Sequence, residues 1–257
     1  MAHLRFDPFI LTLALLLAIT ASSCLGADWQ PYHARYAIYR NGKLIGKTEV
    51  NFEQRGDHWS MSSEGSGTHG LARILRAKDN EYAEGRFVEG RPQPLKYTHH
   101  TRVAGIDDLW TARFDWQSGS VEISKGKDVL TLDLVPGAVD AMSIKLEMQR
   151  RLREHDPDMM FWLVDDDKIK DQAFRVLQSE QLETSLGCLQ TTPVERVRQG
   201  GKRYTKAWHA PALGYLLVRL DHGKTNGDQI EMRITGLFFD QQEIQPKPGC
   251  AAGQKSP

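Results

Sequence analysis

The sequence predicts a mainly β protein: one antiparallel sheet, curled or closed into a lipocalin-like or lipoprotein-carrier-like barrel, with one amphipathic helix packed on or in it. Three observations predict this fold. Apolar and polar residues alternate with a period of two along most of residues 36–239. Turn signals containing glycine separate the alternating segments. One segment alone, residues 140–153, has helical spacing instead.

The strands follow one another closely, beginning with a hairpin at Asn41-Gly42, a pair that accepts positive φ at both positions. Strands so near in sequence usually pair antiparallel with their neighbours. A barrel of more than about eight strands is too wide for side chains alone to fill. We therefore expect the helix to fill the interior, a cavity to remain, or both. The predicted strands are residues 36–39, 44–52, 58–63, 81–88, 95–103, 109–116, 121–124, 129–134, 160–164, 173–183, 189–197, 204–209, 215–221 and 230–239.

The helical segment contains neither glycine nor proline. Its apolar residues recur at Ala141, Ile144, Met148 and Leu152. We expect Asp140 to cap the N-terminus of this helix. Three basic residues near its C-terminus suit the helix dipole and solvent better than an anion site: Arg150, Arg151 and Arg153. A shorter helical turn is expected at residues 71–75.

The N-terminus is typical of a secretory signal. Arg5 precedes an apolar run at residues 9–19, which is shorter than the roughly 20 residues that span a bilayer. Small residues follow, and they predict a cut after Gly26. The alternative is a lipoprotein signal in which Cys24 is lipidated. The predicted organisation is a signal peptide at residues 1–26, a β-barrel-like domain at 27–240 and a loose polar tail at 241–257, in a protein that is exported.

Charge excludes several partners. The chain has 33 Lys and Arg against 33 Asp and Glu. Nucleic-acid binding needs an excess of cations to replace counterions, so nucleic acid is not expected as a partner. The mature chain contains no run of about 20 apolar residues, so no transmembrane segment is expected in it.

Two cysteines remain once the signal is removed, Cys188 and Cys250. An oxidising compartment favours a disulfide between them, and two free thiols are the alternative. The chain has no Cys-x-x-Cys motif, so a redox site is not expected.

No motif predicts a catalytic residue, a metal site or a cofactor. His99 and His100 are adjacent on a strand and point to opposite faces, as do Glu81 and Glu84. The acidic run at residues 165–167 lacks the glycine and glutamate of a calcium loop. Residues 65–70 are rich in glycine but contain neither a nucleophile elbow nor a phosphate-loop lysine. An enzyme is therefore not the expected class.

Apolar stripes give the more informative signal. Candidate residues that would line a cavity are Trp110, Phe114, Trp116, Met142, Met148 and Met232. Methionine adapts to irregular apolar ligands. The resulting hypothesis is a periplasmic binding or carrier protein for a lipid or other amphiphile in envelope maintenance, and an ordinary packed core is the alternative. A scaffold that interacts with an envelope protein is the alternative function, and a hydrolase using dispersed His and Asp residues is the second.

Four segments carry a family resemblance: residues 36–46, 92–97, 206–219 and 230–233. Together they resemble an exported bacterial family, the domain of unknown function numbered 3108. The resemblance extends in order over nearly all of the mature chain. It implies a β-rich domain in the periplasm of a Gram-negative cell and carries over no catalytic or binding residue.

Overall fold

The computed structural model describes residues 29–198 and 200–250. The predicted signal peptide, its cleavage after Gly26 and the alternative lipidation of Cys24 lie outside these residues. The strands are β1 Tyr32–Arg40, β2 Lys43–Arg55, β3 His58–Gly67, β4 Lys78–Val88, β5 Arg91–Val103, β6 Ile106–Asp115, β7 Ser120–Lys125, β8 Asp128–Asp133, β9 Met160–Val164, β10 Ile169–Val176, β11 Glu180–Thr184, β12 Gly187–Arg196, β13 Arg203–Ala210, β14 Leu216–Lys224, β15 Gln229–Phe239 and β16 Gln242–Glu243. The helices are α1 Gly70–Ile74 and α2 Ser143–Glu154, and Pro211–Leu213 forms a 3-10 turn.

The strands form one antiparallel sheet, which confirms the predicted fold class. Its order is β8-β7-β6-β5-β4-β3-β2-β1-β15-β14-β13-β12-β10-β9, with β11 beside β12 and β16 beside β15. Strands β1 and β15, far apart in sequence, pair in the middle of this order. The sheet does not close, because β8 and β9 form its two ends. It is therefore a curled open sheet.

Helix α2 occupies the inside of the curl. On one side, Met142 and Leu146 join the main apolar core that also contains Phe52 and Tyr97. On the other side, Met148 and Leu152 pack in a second cluster with Phe161 and Val194. The helix thus separates the middle strands from the β9–β10 end of the sheet. This position confirms the prediction of one helix packed in the sheet.

The predicted cap of α2 is present. The carboxylate of Asp140 accepts hydrogen bonds from the backbone N–H groups of Met142 at 2.7 Å and Ser143 at 2.9 Å. It therefore satisfies two donors that have no partner within the helix.

The arginines near the C-terminus of α2 correct a prediction. Arg150 is only 5% exposed and Arg151 only 8%. Both bind Glu147 in a buried ion-pair group, and Arg153 stacks over Trp29 at 3.9 Å. The prediction of solvated charges was wrong because neighbouring elements enclose this helix on more than one side.

The C-terminal segment is bound to the sheet as far as the described residues extend, although a loose tail was expected. Residues 242–243 pair with β15. The N–H of Lys247 donates to the carbonyl of Leu186, and the N–H of Cys188 donates to that of Pro248. Cys188 and Cys250 form the predicted disulfide.

One predicted strand is divided. Residues 173–183 were expected to be continuous, but β10 ends at Val176 and β11 begins at Glu180. Both strands pair with β12, at positions on either side of Thr192-Pro193. Proline has no N–H to donate to a neighbouring strand, which accounts for the interruption. Among the described residues, no helix combines the length and the apolar character needed to cross a membrane.

Candidate functional site: an amphipathic cleft beside the helix

A cleft of about 300 Å³ lies between α2 and the inner face of the sheet. This volume is at the lower end of the range for small-molecule sites. Its walls come from β14, β15, β1 to β4, α2 and the turn before α2. The residues that line it are Tyr32, Tyr36, Ile38, Thr48, Val50, Ser63, Gly65, Asp79, Glu81, Ala141, Lys145, Gln149, Leu216, Leu217, Leu220 and Met232.

One wall of the cleft is apolar. Leu220 and Met232 lie opposite each other on β14 and β15, and Met232 lies opposite Ile38 of β1. The hydroxyl of Tyr36 donates to the carbonyl of Leu217 at 2.8 Å, so this buried polar atom is satisfied. The wall can therefore contact a hydrocarbon chain without leaving a polar group unpaired.

The opposite wall carries charge. Nζ of Lys145 lies 3.9 Å from Oε2 of Glu81 and 2.9 Å from the sulfur of Met142. The hydroxyl of Tyr97 donates to Oε1 of Glu81 at 2.5 Å. Burial, followed by the charge of Glu81, raises the pKa of Tyr97. Tyr97 is therefore a neutral hydrogen-bond donor that fixes the orientation of Glu81 towards the cleft.

Asp79 and His99 extend this charged wall. Nε2 of His99 lies 2.8 Å from Oδ1 of Asp79 and 3.1 Å from the hydroxyl of Thr101. The indole N–H of Trp110 donates to Nδ1 of His99 at 3.3 Å. The hydrogen bond between the pair raises the pKa of His99 and lowers the pKa of Asp79. Both imidazole nitrogens are engaged, and the Thr101 hydroxyl donates to Asp79. Each ring nitrogen of His99 therefore has a partner, and Oδ1 of Asp79 is shared between His99 and Thr101.

Asp140 lies near this wall but is fully buried. Burial raises its pKa to about 6, and the hydrogen bonds from Ser143 and Met142 oppose that rise. Because the charge of Glu81 also raises this pKa, the two carboxylates are electrostatically coupled. The wall formed by Asp79, Glu81 and Lys145 is therefore acidic overall, with one cation among the carboxylates.

The six predicted cavity residues are not brought together in the cleft. Met232 lines it. Trp110 and Phe114 are buried in the main core, and Trp116 packs against that core from a partly buried position. Met142 lies in the main core, while Met148 belongs to the second apolar cluster on the other side of the helix.

Other residues considered from the sequence have separate partners. Nε2 of His100 lies 2.5 Å from Asp107, on the face opposite His99. Each aspartate of residues 165–167 pairs with a lysine: Lys170, Lys125 and Lys168 respectively. The only group of potential metal ligands found among the described residues is Glu183 with Cys188 and Cys250. Both cysteines are oxidised in the disulfide and offer no thiolate, so this group does not fit a thiolate-bound metal.

Sequence reasoning missed the charged wall. Glu81 was considered only with Glu84, which instead accepts from Tyr82. Asp79, His99 and Lys145 come from two strands and the helix, and no local motif links them. Strand alternation does place Asp79, Glu81 and Ala83 on one face, and that signal could have indicated carboxylates beside a buried alanine.

Comparison with known families gives one match. A family described as "Protein of unknown function (DUF3108)" matches residues 35–235. No curated protein sequence matches the chain.

Among solved structures, the chain is similar to a β-barrel-like protein of the domain of unknown function DUF1849 from Brucella abortus. The TM-score is 0.56 at 8% identity, over 82% of this chain and 98% of the other. Two further structures have lower TM-scores, 0.33 and 0.32, and carry no argument. One is a candidate exported protein with a YmcC-like fold from Bacteroides fragilis, at 10% identity over 82% and 97% of the two chains. The other is a candidate lipoprotein from Parabacteroides distasonis, at 11% identity over 82% and 96%. At these identities the likeness concerns the fold alone.

Proposed function

The chain belongs to the DUF3108 family, and from that premise we propose that it is an exported binding or carrier protein for an amphiphile in the cell envelope. The observation that carries the proposal is the cleft, with Leu220 and Met232 on one wall and Lys145 with Glu81 on the other. An apolar site with few polar groups is the usual form of a small-molecule site. Export is supported by the N-terminal sequence and by the Cys188–Cys250 disulfide, a bond that persists in oxidising compartments.

The cleft restricts the ligand. A volume of about 300 Å³ suits one short hydrocarbon chain with a polar head better than a phospholipid with two long chains. The head would lie beside Asp79, Glu81 and Lys145. Because carboxylates outnumber the lysine there, a cationic or zwitterionic head is favoured over an anionic one.

The experiment is native mass spectrometry of the protein purified without detergent, with organic extraction of any bound molecule. A fluorescent alkylamine then serves as the probe in titrations. Leu220→Asp places a charge in the apolar wall and should weaken binding of the probe at least tenfold. Val129→Asp is the matched control because Val129 lies on β8, away from the cleft, and is 64% exposed. Equal binding by both variants and the wild type would refute the cleft as the site.

A scaffold for an envelope protein is the second candidate, and one observation favours it. Among the described residues, β8 pairs only with β7, so one of its edges is open. Val129 and Leu130 are exposed on this strand. An open edge with apolar side chains can accept a strand from a partner. Photo-crosslinking from position 129 tests this function, and Thr131→Pro should abolish a product that depends on strand pairing.

A further inference from the structure

The connection between β3 and β4 exposes apolar side chains at one end of the sheet. Leu71 is 68% and Ile74 75% exposed on the short helix α1, and Ile106 is 62% exposed at the start of β6. Among the other large apolar residues that the structure describes, only Val129 has a comparable value, 64%. The N–H of Ala104 donates to the carbonyl of Leu75 at 3.3 Å, which joins the β5–β6 turn to α1. We call α1 with this turn the α1 surface.

The α1 surface is basic in a chain of zero net charge. Residues 67–78 contain Arg73, Arg76 and Lys78 and no carboxylate. Arg102 lies opposite Lys78 on the neighbouring strand. Among the described residues, none of these four cations forms an ion pair, whereas cations elsewhere often do, as in Arg40–Asp228 and Lys125–Asp166.

The nearest carboxylates are turned to other partners. Asp79 lines the cleft and binds His99. Asp107 lies opposite Arg102 on β6, but its carboxylate binds His100 and forms no ion pair with Arg102. Asp108 forms an ion pair with Lys125. The positive charge of the α1 surface is therefore not compensated by hydrogen-bonded or ion-paired carboxylates around it.

We propose that the α1 surface docks this protein onto an anionic lipid bilayer. Exposed apolar side chains ringed by cations gain free energy when the side chains enter the interface and the cations meet lipid phosphates. Ile74 and Leu71 lie on a helix of only five residues. They are two separate exposed side chains, whereas a partner helix would need a continuous apolar stripe over several turns. A fluid bilayer accommodates such side chains without a shaped pocket.

The docking surface lies beside the cleft. Gly65 and Asp79 pair across β3 and β4 and both line the cleft. Two residues from this pair, the N–H of Gly67, at the end of β3, donates to the carbonyl of Ala77, which precedes β4 and follows α1. Docking would therefore bring this end of the cleft to the lipid surface. The proposal goes beyond amphiphile binding and does not require that the cleft is occupied.

Vesicle cosedimentation tests the proposal. The protein recovered after export is mixed with vesicles of phosphatidylcholine alone or of phosphatidylcholine and phosphatidylglycerol in equal parts. The wild type should bind the mixed vesicles and lose binding as salt is raised. The triple variant Arg73→Gln, Arg76→Gln, Lys78→Gln should bind the mixed vesicles at least about tenfold more weakly than the wild type. Leu71→Ser with Ile74→Ser should also weaken binding.

Matched controls make the result specific. The variant Arg86→Gln, Arg91→Gln, Lys96→Gln removes the same charge from exposed positions towards the other end of β4 and β5. Val129→Ser removes an equally exposed apolar side chain from β8. Both should bind as the wild type does. All variants share one N-terminus, so any contribution of residues 1–28 is the same in each.

Failure of this proposal is distinguishable from failure of the amphiphile site. The α1 variants should still bind the fluorescent alkylamine in solution, and Leu220→Asp should still bind the mixed vesicles. The docking proposal would be overturned if the wild type bound no better to the mixed vesicles than to phosphatidylcholine alone. It would also be overturned if the α1 variants and the control variants lost vesicle binding to the same extent. If the α1 surface instead bound a protein with an acidic surface, the wild type would show no preference for vesicles that contain phosphatidylglycerol.

Discussion

His99 and Asp79 lie diagonally across β5 and β4, two residues apart in register, with Nε2 2.8 Å from Oδ1. Trp110 donates to the other imidazole nitrogen. This pair places a titratable group with a pKa raised above 6.5 at the edge of the cleft. The charge state of His99 is therefore expected to affect both the stability of the fold and the net charge beside the cleft.

The first prediction concerns the pH dependence of stability. Because the pKa of His99 is raised on folding, its contribution is complete below pH 6.5 and is lost as pH rises through the folded value. Asp79, whose pKa is lowered, contributes above pH 3.8 and loses its contribution as pH falls. Since Asp79 is largely exposed, the effect should stay below about 1 kcal/mol. His99→Gln should flatten the dependence of Tm on pH between 6 and 8. An unchanged profile would contradict the pairing.

The second prediction separates the charge of Asp140 from its capping role. Burial raises its pKa from 3.8 to about 6. Between these values the folded chain holds a proton that the unfolded chain has released, so this term reduces stability as pH rises. Asp140→Asn keeps an oxygen that can accept from Met142 and Ser143, and removes the buried charge. At pH 7.5 it should match or exceed the wild-type Tm, and its Tm should depend less on pH between 4 and 6.

Asp140→Ala is the control for the capping hydrogen bonds. It removes the charge together with both acceptors, and should cost about 1–2 kcal/mol relative to Asp140→Asn in chemical denaturation. If the two variants were equally stable, the cap would contribute nothing measurable.

The third prediction concerns the disulfide. Cys188 and Cys250 are separated by 62 residues, and a loop of that length gives a stabilisation of about 4 kcal/mol in the chain-entropy estimate. The double variant Cys188→Ser, Cys250→Ser should lose much of that value and release residues 242–250 from β15 and β12. Hydrogen exchange at Lys247 would report the release. Reduced wild type should behave like the variant, and a reductant should leave the variant itself unchanged.

The strand pattern and the helix were predictable from sequence because both depend on local periodicity. Asn41 and Gly42 have φ values of 50 and 75°, as the predicted hairpin requires. Asp140 was identified as the cap because a cap and its helix are adjacent in sequence. The disulfide was predicted from the expected export and from the two cysteines outside the predicted signal peptide.

The charged wall was not predictable by the same reasoning. Asp79 and His99 meet only because β4 and β5 pair in one register, which shifts at a bulge between Glu84 and Gly85. Lys145 reaches Glu81 only because α2 lies inside the curl. Long-range register and the position of the helix are tertiary properties, so periodicity along the chain does not specify them.

The fourth prediction concerns the buried ion pairs of α2. Glu147 is 5% exposed and accepts from Nε of Arg150 at 2.8 Å and from Nε of Arg151 at 2.8 Å. Arg151 also donates to the carbonyl oxygens of Asp158 and Met160, which ties the helix to β9. Glu147→Gln leaves two guanidinium groups without their shared buried carboxylate. Removing one partner of a buried pair costs about 3–5 kcal/mol. The loss here should lie towards the lower value, because Arg150 keeps Glu154 and Asp156 as partners and Arg151 keeps Asp158.

Glu195→Gln is the matched control for that substitution. Glu195 pairs with Arg175 at 2.8 Å, but Arg175 is 65% exposed, so its loss should cost at most about 1 kcal/mol. Adding Arg150→Met to Glu147→Gln should recover part of the stability, because it removes one of the two buried cations that have lost their shared carboxylate. Urea unfolding of the four proteins measures these differences. The burial that should make the loss of Glu147 more destabilising than the loss of Glu195 is the same burial that holds α2 against β9. If the two substitutions lowered the free energy of unfolding equally, the enclosed position of α2 would contribute little to the stability of the fold.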